Sequence, residues 1–286
     1  MAYNSGTDPT LAELISRKFV PEIFSKNVLM HTMSNLVVAD AFTHEYQKYL
    51  TQGTKVWIPV MTEISATEVT PGTQPTAQDA STTAVSITVD QWYEASVEVS
   101  HLGDVEDAVG YLEKGAKAAS YAINKTIDTE VGTLISALNS SSVEGSDGQT
   151  FTDALFRTLV ETLDEADIPD DGVRFIIGDP SLKADALNID KFVRQDYING
   201  MPTTNGKFGN LYNCDFRMTN NLPAASTGNY GVYSHPDAIG VALQMTPNSN
   251  YYDLGWQFQK MIIVDSAWGS DELRDDFGIP FYTRKA

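Results

Sequence analysis

Residues 100–139 read SHLGDVEDAVGYLEKGAKAASYAINKTIDTEVGTLISALN, and their spacing decides the fold. Apolar or small residues fall at Leu102, Val105, Val109, Leu112, Ala116, Ala119, Ile123, Ile127, Val131, Leu134 and Leu138. Steps of three and four are the period of an α-helix, not of a strand. Asp104, Glu106 and Asp107 crowd the first turn, where carboxylates suit unpaired amides and the positive end of the helix dipole. Glu113 and Lys117 form a favourable pair four residues apart. Asn139 and the serines that follow end the pattern. The spacing predicts one rod roughly 50 Å long, where an average globular helix has ~11–12 residues. Such a rod needs an extended surface to lie against.

The sequence before it supplies one. Val56, Ile58 and Val60 alternate after Gly53, and Pro59 within the run predicts an edge or bulged strand. Residues 64–83, ISATEVTPGTQPTAQDASTT, are polar and rich in turn formers. Val85, Ile87, Val89, Tyr93, Ala95, Val97 and Val99 then hold odd positions against mostly polar even ones. This period of two predicts a single strand of ~15 residues, against a usual five or six. A long hairpin results, and its outer half has little core behind it.

Further upstream, Thr10, Leu11, Leu14, Ile15 and Phe19 predict a short helix, and the residues from Ile23 to Val37 a second helical stripe. So little polar surface on a short arm implies packing on something larger, such as a neighbour. Downstream, residues 143–149 read as a loop and a domain boundary. Residues 154–166 carry a helical stripe, and 173–177, VRFII, a short buried strand. Asp179 and Pro180 then provide an N-cap and first residue for a helix to about Leu187. Residues 188–209 form a long loop, which signals a contact surface or disorder. Short strands are expected at 216–218, 231–233 and 239–243, a long one at 254–264, and a last one at 279–282.

Motifs for chemistry are missing. His31, His44, His101 and His235 are scattered, without the spacing of a helical metal pair. The acidic clusters at 164–171 and 271–276 do not fit a calcium loop and read as solvated faces. Residues 200–207 resemble a P-loop only superficially: the spacing is one residue too long and Phe208 stands in place of Ser or Thr. No G-x-S-x-G or G-x-G-x-x-G occurs, so no catalytic residue, cofactor or metal is assigned.

Size and charge narrow the partners. The 286 residues, 42% hydrophobic and 20% charged, have the balance of a soluble protein with one or two domains. No apolar run is long enough to span a bilayer, and the first residues lack the pattern of a secretory signal. Cys214 stands alone and reads as a buried thiol in a reducing compartment. A net charge of −19 argues against a nucleic-acid reader. Copies of the chain repel at long range, so any assembly must hold through apolar contact and shape.

The order of elements and several phrases resemble the major capsid proteins of tailed bacteriophages, the Hong Kong 97-type fold. PEIFSKNVL (21–29), SNLVVADAF (34–42) and GTKVWIPV (53–60) are similar to the arm-to-loop region of phage coat proteins. FIIGDPSLKADAL (175–187) and NGKFGNLYNCDFRMTNNLP (205–223) resemble their apical segments. VYSHPDAIGVALQ (232–244) and MIIVDSAWGSDELRDDFGI (261–279) resemble their closing strands.

The resemblance implies an α+β chain with an N-terminal arm (1–52), an extended β-hairpin loop (53–90) and a peripheral domain with a spine helix (91–140). An axial domain (141–243), returning peripheral strands (244–275) and a C-terminal axial segment (276–286) complete it. The implied function is structural: subunits self-assemble as pentamers and hexamers of an icosahedral shell around double-stranded DNA, without catalysis or sequence-specific DNA binding. The shell would be assembled in the host bacterial cytoplasm and form the virion capsid. A separate scaffolding protein and a portal are implied partners, a decoration protein is a further one, and no membrane is involved. Intersubunit contacts are expected from Phe24, Leu29, Trp57, Glu68, Pro71, Gln74, Pro75, Asp79, Asn205 and Lys207. Some members crosslink a loop lysine to a neighbour, but no lysine lies between Lys55 and Lys114 here. Rival readings are a bacterial nanocompartment shell of the same fold and an enzyme or binding module without a familiar motif.

Overall fold

The computed structural model describes residues 37–61, 64–72, 74, 82–106, 111–189 and 214–285. The expected helices upstream of Val37 and the loop core at 190–213 lie outside the described residues. The described chain begins with a short helix, α1 (Val38–Ala41), followed by strand β1 (Lys55–Met61). β1 pairs antiparallel with β2 (Thr82–Thr88) as a two-stranded ribbon, so Pro59 sits where a missing amide is tolerated. Val56 and Ile58 point inward and, with Val89 and Tyr46, surround buried Leu50, Ile87 and Ala242. The base of the ribbon therefore has a small core of its own.

The long strand expected over 85–99 is two strands. After β2 the chain leaves the pairing at Val89 and Asp90, and β3 (Gln91–Ser100) enters a different sheet. The alternation survives the break, because the odd residues Ala95 and Val97 of β3 still face the core. What forces the break is contact with a distant strand. A Cβ on Gly269 would lie 2.0 Å from the Thr88 carbonyl oxygen, so only glycine lets the end of β2 cross there.

Helix follows β3 directly, as α2 (His101–Glu106) and α3 (Tyr111–Ile135); residues 107–110 lie outside the described residues. At 25 residues, α3 is about 37 Å long. Ala119, Ile123, Ile127 and Val131 of the predicted stripe are buried along it, and Ile135, which the spacing passes over, is buried where Leu134 is only partly so. Two expectations fail at its ends. Leu102, placed on the apolar face by spacing, is exposed. The helix also stops at Ile135 rather than near Asn139, and Asn139, Ser140 and Ser141 adopt positive φ. Beyond the helix end Asp275 holds this turn: its carboxylate accepts the Ser140 amide at 2.8 Å and the Ser140 hydroxyl at 2.6 Å.

Helix α4 (Asp153–Glu165) is capped by the Thr152 hydroxyl, which accepts the Leu155 amide. Strand β4 (Phe175–Gly178) leads into α5 (Pro180–Ala186), where the Asp179 side chain accepts the Ser181 amide as the sequence predicts. Then come β5 (Asp215–Met218), β6 (Gly228–Ser234), β7 (Ile239–Leu254), β8 (Gln259–Glu272) and β9 (Gly278–Arg284). The strand expected at 254–264 is found only from Gln259 onward, since 255–258 form the tight turn between β7 and β8. Leu254, Trp256 and Phe258 alternate as a strand would, but Phe258 has positive φ and both aromatic rings stand in solvent.

The strands make two sheets besides the ribbon, ordered β3-β8-β7 and β5-β4-β6-β9. The first is antiparallel and lies against α3, with Ala95, Val97, Ile262, Val264 and Trp268 meeting the helix stripe. The second is mixed, β4 and β5 being parallel. β4 is buried on both faces: Phe175 and Ile177 join the core that contains α3, whereas Ile176 joins Phe156, Leu159 and Leu163 of α4. This explains an apolar run without alternation. The 143–149 loop is pinned as well, since the Glu144 amide donates to the Pro280 carbonyl and the Glu144 carbonyl accepts the Tyr282 amide.

Buried carboxylates tie these parts together. Asp128 of α3 accepts the amides of Val38 and Ala39 at 2.8 and 3.0 Å and the Asn221 side chain at 3.0 Å. Asp185 accepts the Phe151 amide and the Arg284 guanidinium. The acidic clusters are not merely solvated, as the sequence reading had them. Asp164 receives the buried Arg174 at 2.7 Å, and Asp271 accepts the Thr88 amide at 3.0 Å.

Candidate intersubunit surfaces

Large apolar side chains without a core gather in two places. The first is the ribbon beyond its base. Trp57 and Met61 occupy the outer face of β1, and Ile64 and Val69 stand exposed in the segment beyond. The Lys55 ammonium sits 4.1 Å from the centre of the Trp57 ring, a cation–π contact that leaves the ring's area open. The second is the face of the β3-β8-β7 sheet turned away from α3. Strand parity puts Trp92, Tyr252 and Ile263 there; at the end of the sheet the β7–β8 turn leaves Trp256 and Phe258 81% and 71% exposed. Exposed apolar side chains gathered in this way mark contact sites.

Among the expected contact residues, Trp57, Glu68, Pro71 and Gln74 are exposed and belong to the first surface. Phe24, Leu29, Pro75, Asp79, Asn205 and Lys207 lie outside the described residues. The second surface was missed by sequence reasoning. Its signals were Trp92, which interrupts a polar series, and Gly255, which breaks the aromatic run 251–258.

No group of three metal-binding side chains comes together among the described residues. His44 contacts the Ala39 carbonyl at 3.0 Å, His101 pairs with Asp253 at 3.1 Å, and the His235 ring accepts the Asp237 amide at 3.3 Å. Burial pushes the Cys214 thiol far above its ordinary range, and Tyr233 is lifted by burial to about 12. Neither is set up to ionise at neutral pH. No described helix is long and apolar enough to cross a membrane.

No protein-family model matches the sequence, and no curated protein matches it. Solved structures do match. A structure from Mycobacterium phage Che8 is similar with a TM-score of 0.78 and 21% identity, over 92% of this chain and 97% of that one. The capsid structure of the cyanophage P-SCSP1u gives 0.77 and 16% identity, over 100% and 97%. The asymmetric unit of the bacteriophage PhiM1 mature capsid gives 0.71 and 17%, over 92% and 91%. At these identities the likeness lies in the path of the backbone. The chain therefore has the fold of phage capsid structures, the fold class that its phrases and element order predict.

Proposed function

We propose that this chain is a major capsid subunit, self-assembling as pentamers and hexamers into the icosahedral shell of a tailed bacteriophage. The observation that carries this reading is the match in fold to phage capsid structures over nearly the full length of both partners. The exposed aromatic surfaces support it, because a ribbon packed only at its base needs a partner to cover the rest. The net charge of −19 is compatible with enclosing DNA without adhering to it.

On this reading residues 1–52 are the arm, 53–90 the extended loop and 91–140 with 244–275 the peripheral domain. Residues 141–243 with 276–286 form the axial domain. The passage of the chain from the ribbon into the β3-β8-β7 sheet at Val89 and Asp90 supports a division near 90. The subunit has no catalytic role. A scaffolding protein and portal take part in assembly in the bacterial host, and a decoration protein is a further partner. The test is gel filtration followed by negative-stain imaging of the purified or co-expressed chain. Capsomers or closed particles that protect DNA from nuclease are the expected result. A stable monomer would overturn the reading, and particles loaded with an enzyme instead of DNA would reassign it to a nanocompartment shell.

A further inference from the structure

The outward face of the β3-β8-β7 sheet contains a groove of about 400 Å³ whose walls include Trp92, Tyr252 and Ile263. On its floor Glu94 and Asp265 stand directly opposite each other in the antiparallel register. Like charges opposed in this way destabilise a sheet unless a cation joins them. Neither carboxylate has an ion-pair partner among the described residues. Aromatic walls over an acidic floor match an apolar segment carrying lysine or arginine, since a guanidinium or ammonium gains from both the ring faces and the carboxylates.

Charge decides where that segment comes from. The loop between β1 and β2 is the other exposed apolar surface, but residues 56–88 contain Glu63, Glu68 and Asp79 and no lysine or arginine. It would add repulsion. Residues 11–31, LAELISRKFVPEIFSKNVLMH, carry Arg17, Lys18 and Lys26 against Glu13 and Glu22, three cations to two carboxylates, set among apolar side chains. The same chain is poorly placed to deliver them. Its described part starts at Val37, and the Val38 amide is bound to Asp128 of α3, on the helix side of the sheet. The groove opens on the opposite side.

We propose that the groove between Trp92 and Tyr252 receives residues 11–31 of a second copy, with a cationic side chain seated between Glu94 and Asp265. This rests on the reading of the chain as a self-assembling subunit. The test joins Ser25→Cys with Asn250→Cys, a residue of the groove, in subunits that are assembled, oxidised and run without reductant; native Cys214 is buried and stays silent. A ladder of covalent oligomers, absent from either single variant, is expected. A shifted band at monomer mass would place the arm on its own chain and overturn the proposal. Particles without crosslinks would overturn it while leaving the capsid reading intact, and failure of the unaltered chain to assemble would remove both. Charge exchange gives a second readout. Glu94→Lys with Asp265→Lys should raise the concentration needed for assembly by about tenfold or more, and adding Arg17→Glu, Lys18→Glu and Lys26→Glu should restore it. Absence of restoration contradicts the pairing.

Discussion

Strands β1 and β4 have similarly apolar sequences and opposite fates. In β4 every residue is buried, because one core meets Phe175 and Ile177 and another meets Ile176. In β1 burial alternates, and Trp57 and Met61 are left in solvent on a two-stranded ribbon. A chain that folds alone rarely keeps such surface uncovered. The contrast teaches that the mixed sheet is packed from both sides within one chain, whereas the outer face of β1 has no cover among the described residues, as the capsid proposal expects.

The largest expected effect tests the inner half of that comparison. Phe156→Ala empties a site between α4 and the mixed sheet and should destabilise the chain by about 3–5 kcal/mol in denaturant unfolding. Met61→Ala should change stability by less than about 0.5 kcal/mol while reducing assembly measured by light scattering. Equal stability losses would erase the distinction between the two strands.

Asp128→Ala should come next, at about 2–4 kcal/mol, because it leaves the amides of Val38 and Ala39 and the Asn221 side chain without an acceptor. Asp128→Asn retains one acceptor oxygen and should recover part of the loss. A smaller effect, about 1–3 kcal/mol, is expected of Gly269→Ala, since its methyl group meets the Thr88 carbonyl. That variant should also release the ribbon base, seen as faster proteolysis within the β1–β2 loop while the mixed sheet stays resistant.

Much of this was legible in sequence. Most of the α3 stripe and the burial of 175–177 follow from local spacing, because their partners only need to be apolar, and the Asp179 cap needs only the Ser181 amide two residues on. Val173, placed in the same buried run, is exposed. The break between β2 and β3 was not legible. Both strands keep the same parity, and the cause lies 181 residues away, in the close approach of Thr88 to Gly269. The turn after Leu254 was hidden for a related reason: Trp256 and Phe258 alternate like strand residues although they point into solvent. Of the candidate surface, Trp57 and the exposed loop residues could be read from a polar, proline-bearing stretch. The Trp92 groove could not, because it forms only when β3 and β7 flank β8.

The smallest predicted effect is a pH dependence at the end of α3. Partial burial works to raise the Asp275 carboxyl, but hydrogen bonds from the Ser140 hydroxyl and amide outweigh it and hold the group below its ordinary range. Its contribution is present above the ordinary value of about 3.8 and is lost as pH falls through the lower folded value. Burial lifts Glu272 instead, so ionising that neighbour costs stability as pH rises through its raised value. Ser140→Ala should flatten the acid side of the stability profile by no more than about 1 kcal/mol. An unchanged acid slope would show that Asp275 does not fasten the helix end.

Amide hydrogen exchange on free subunits and on assembled particles tests the contrast between β1 and β4 most directly. Amides of β4 and β6 should be equally protected in both states, because their cores are complete within one chain. Those of residues 64–72 beyond β1 should exchange rapidly in the subunit and slow by at least an order of magnitude in the particle. Identical exchange of that segment in the two states would contradict the account, since its exposed side chains would then remain uncovered after assembly.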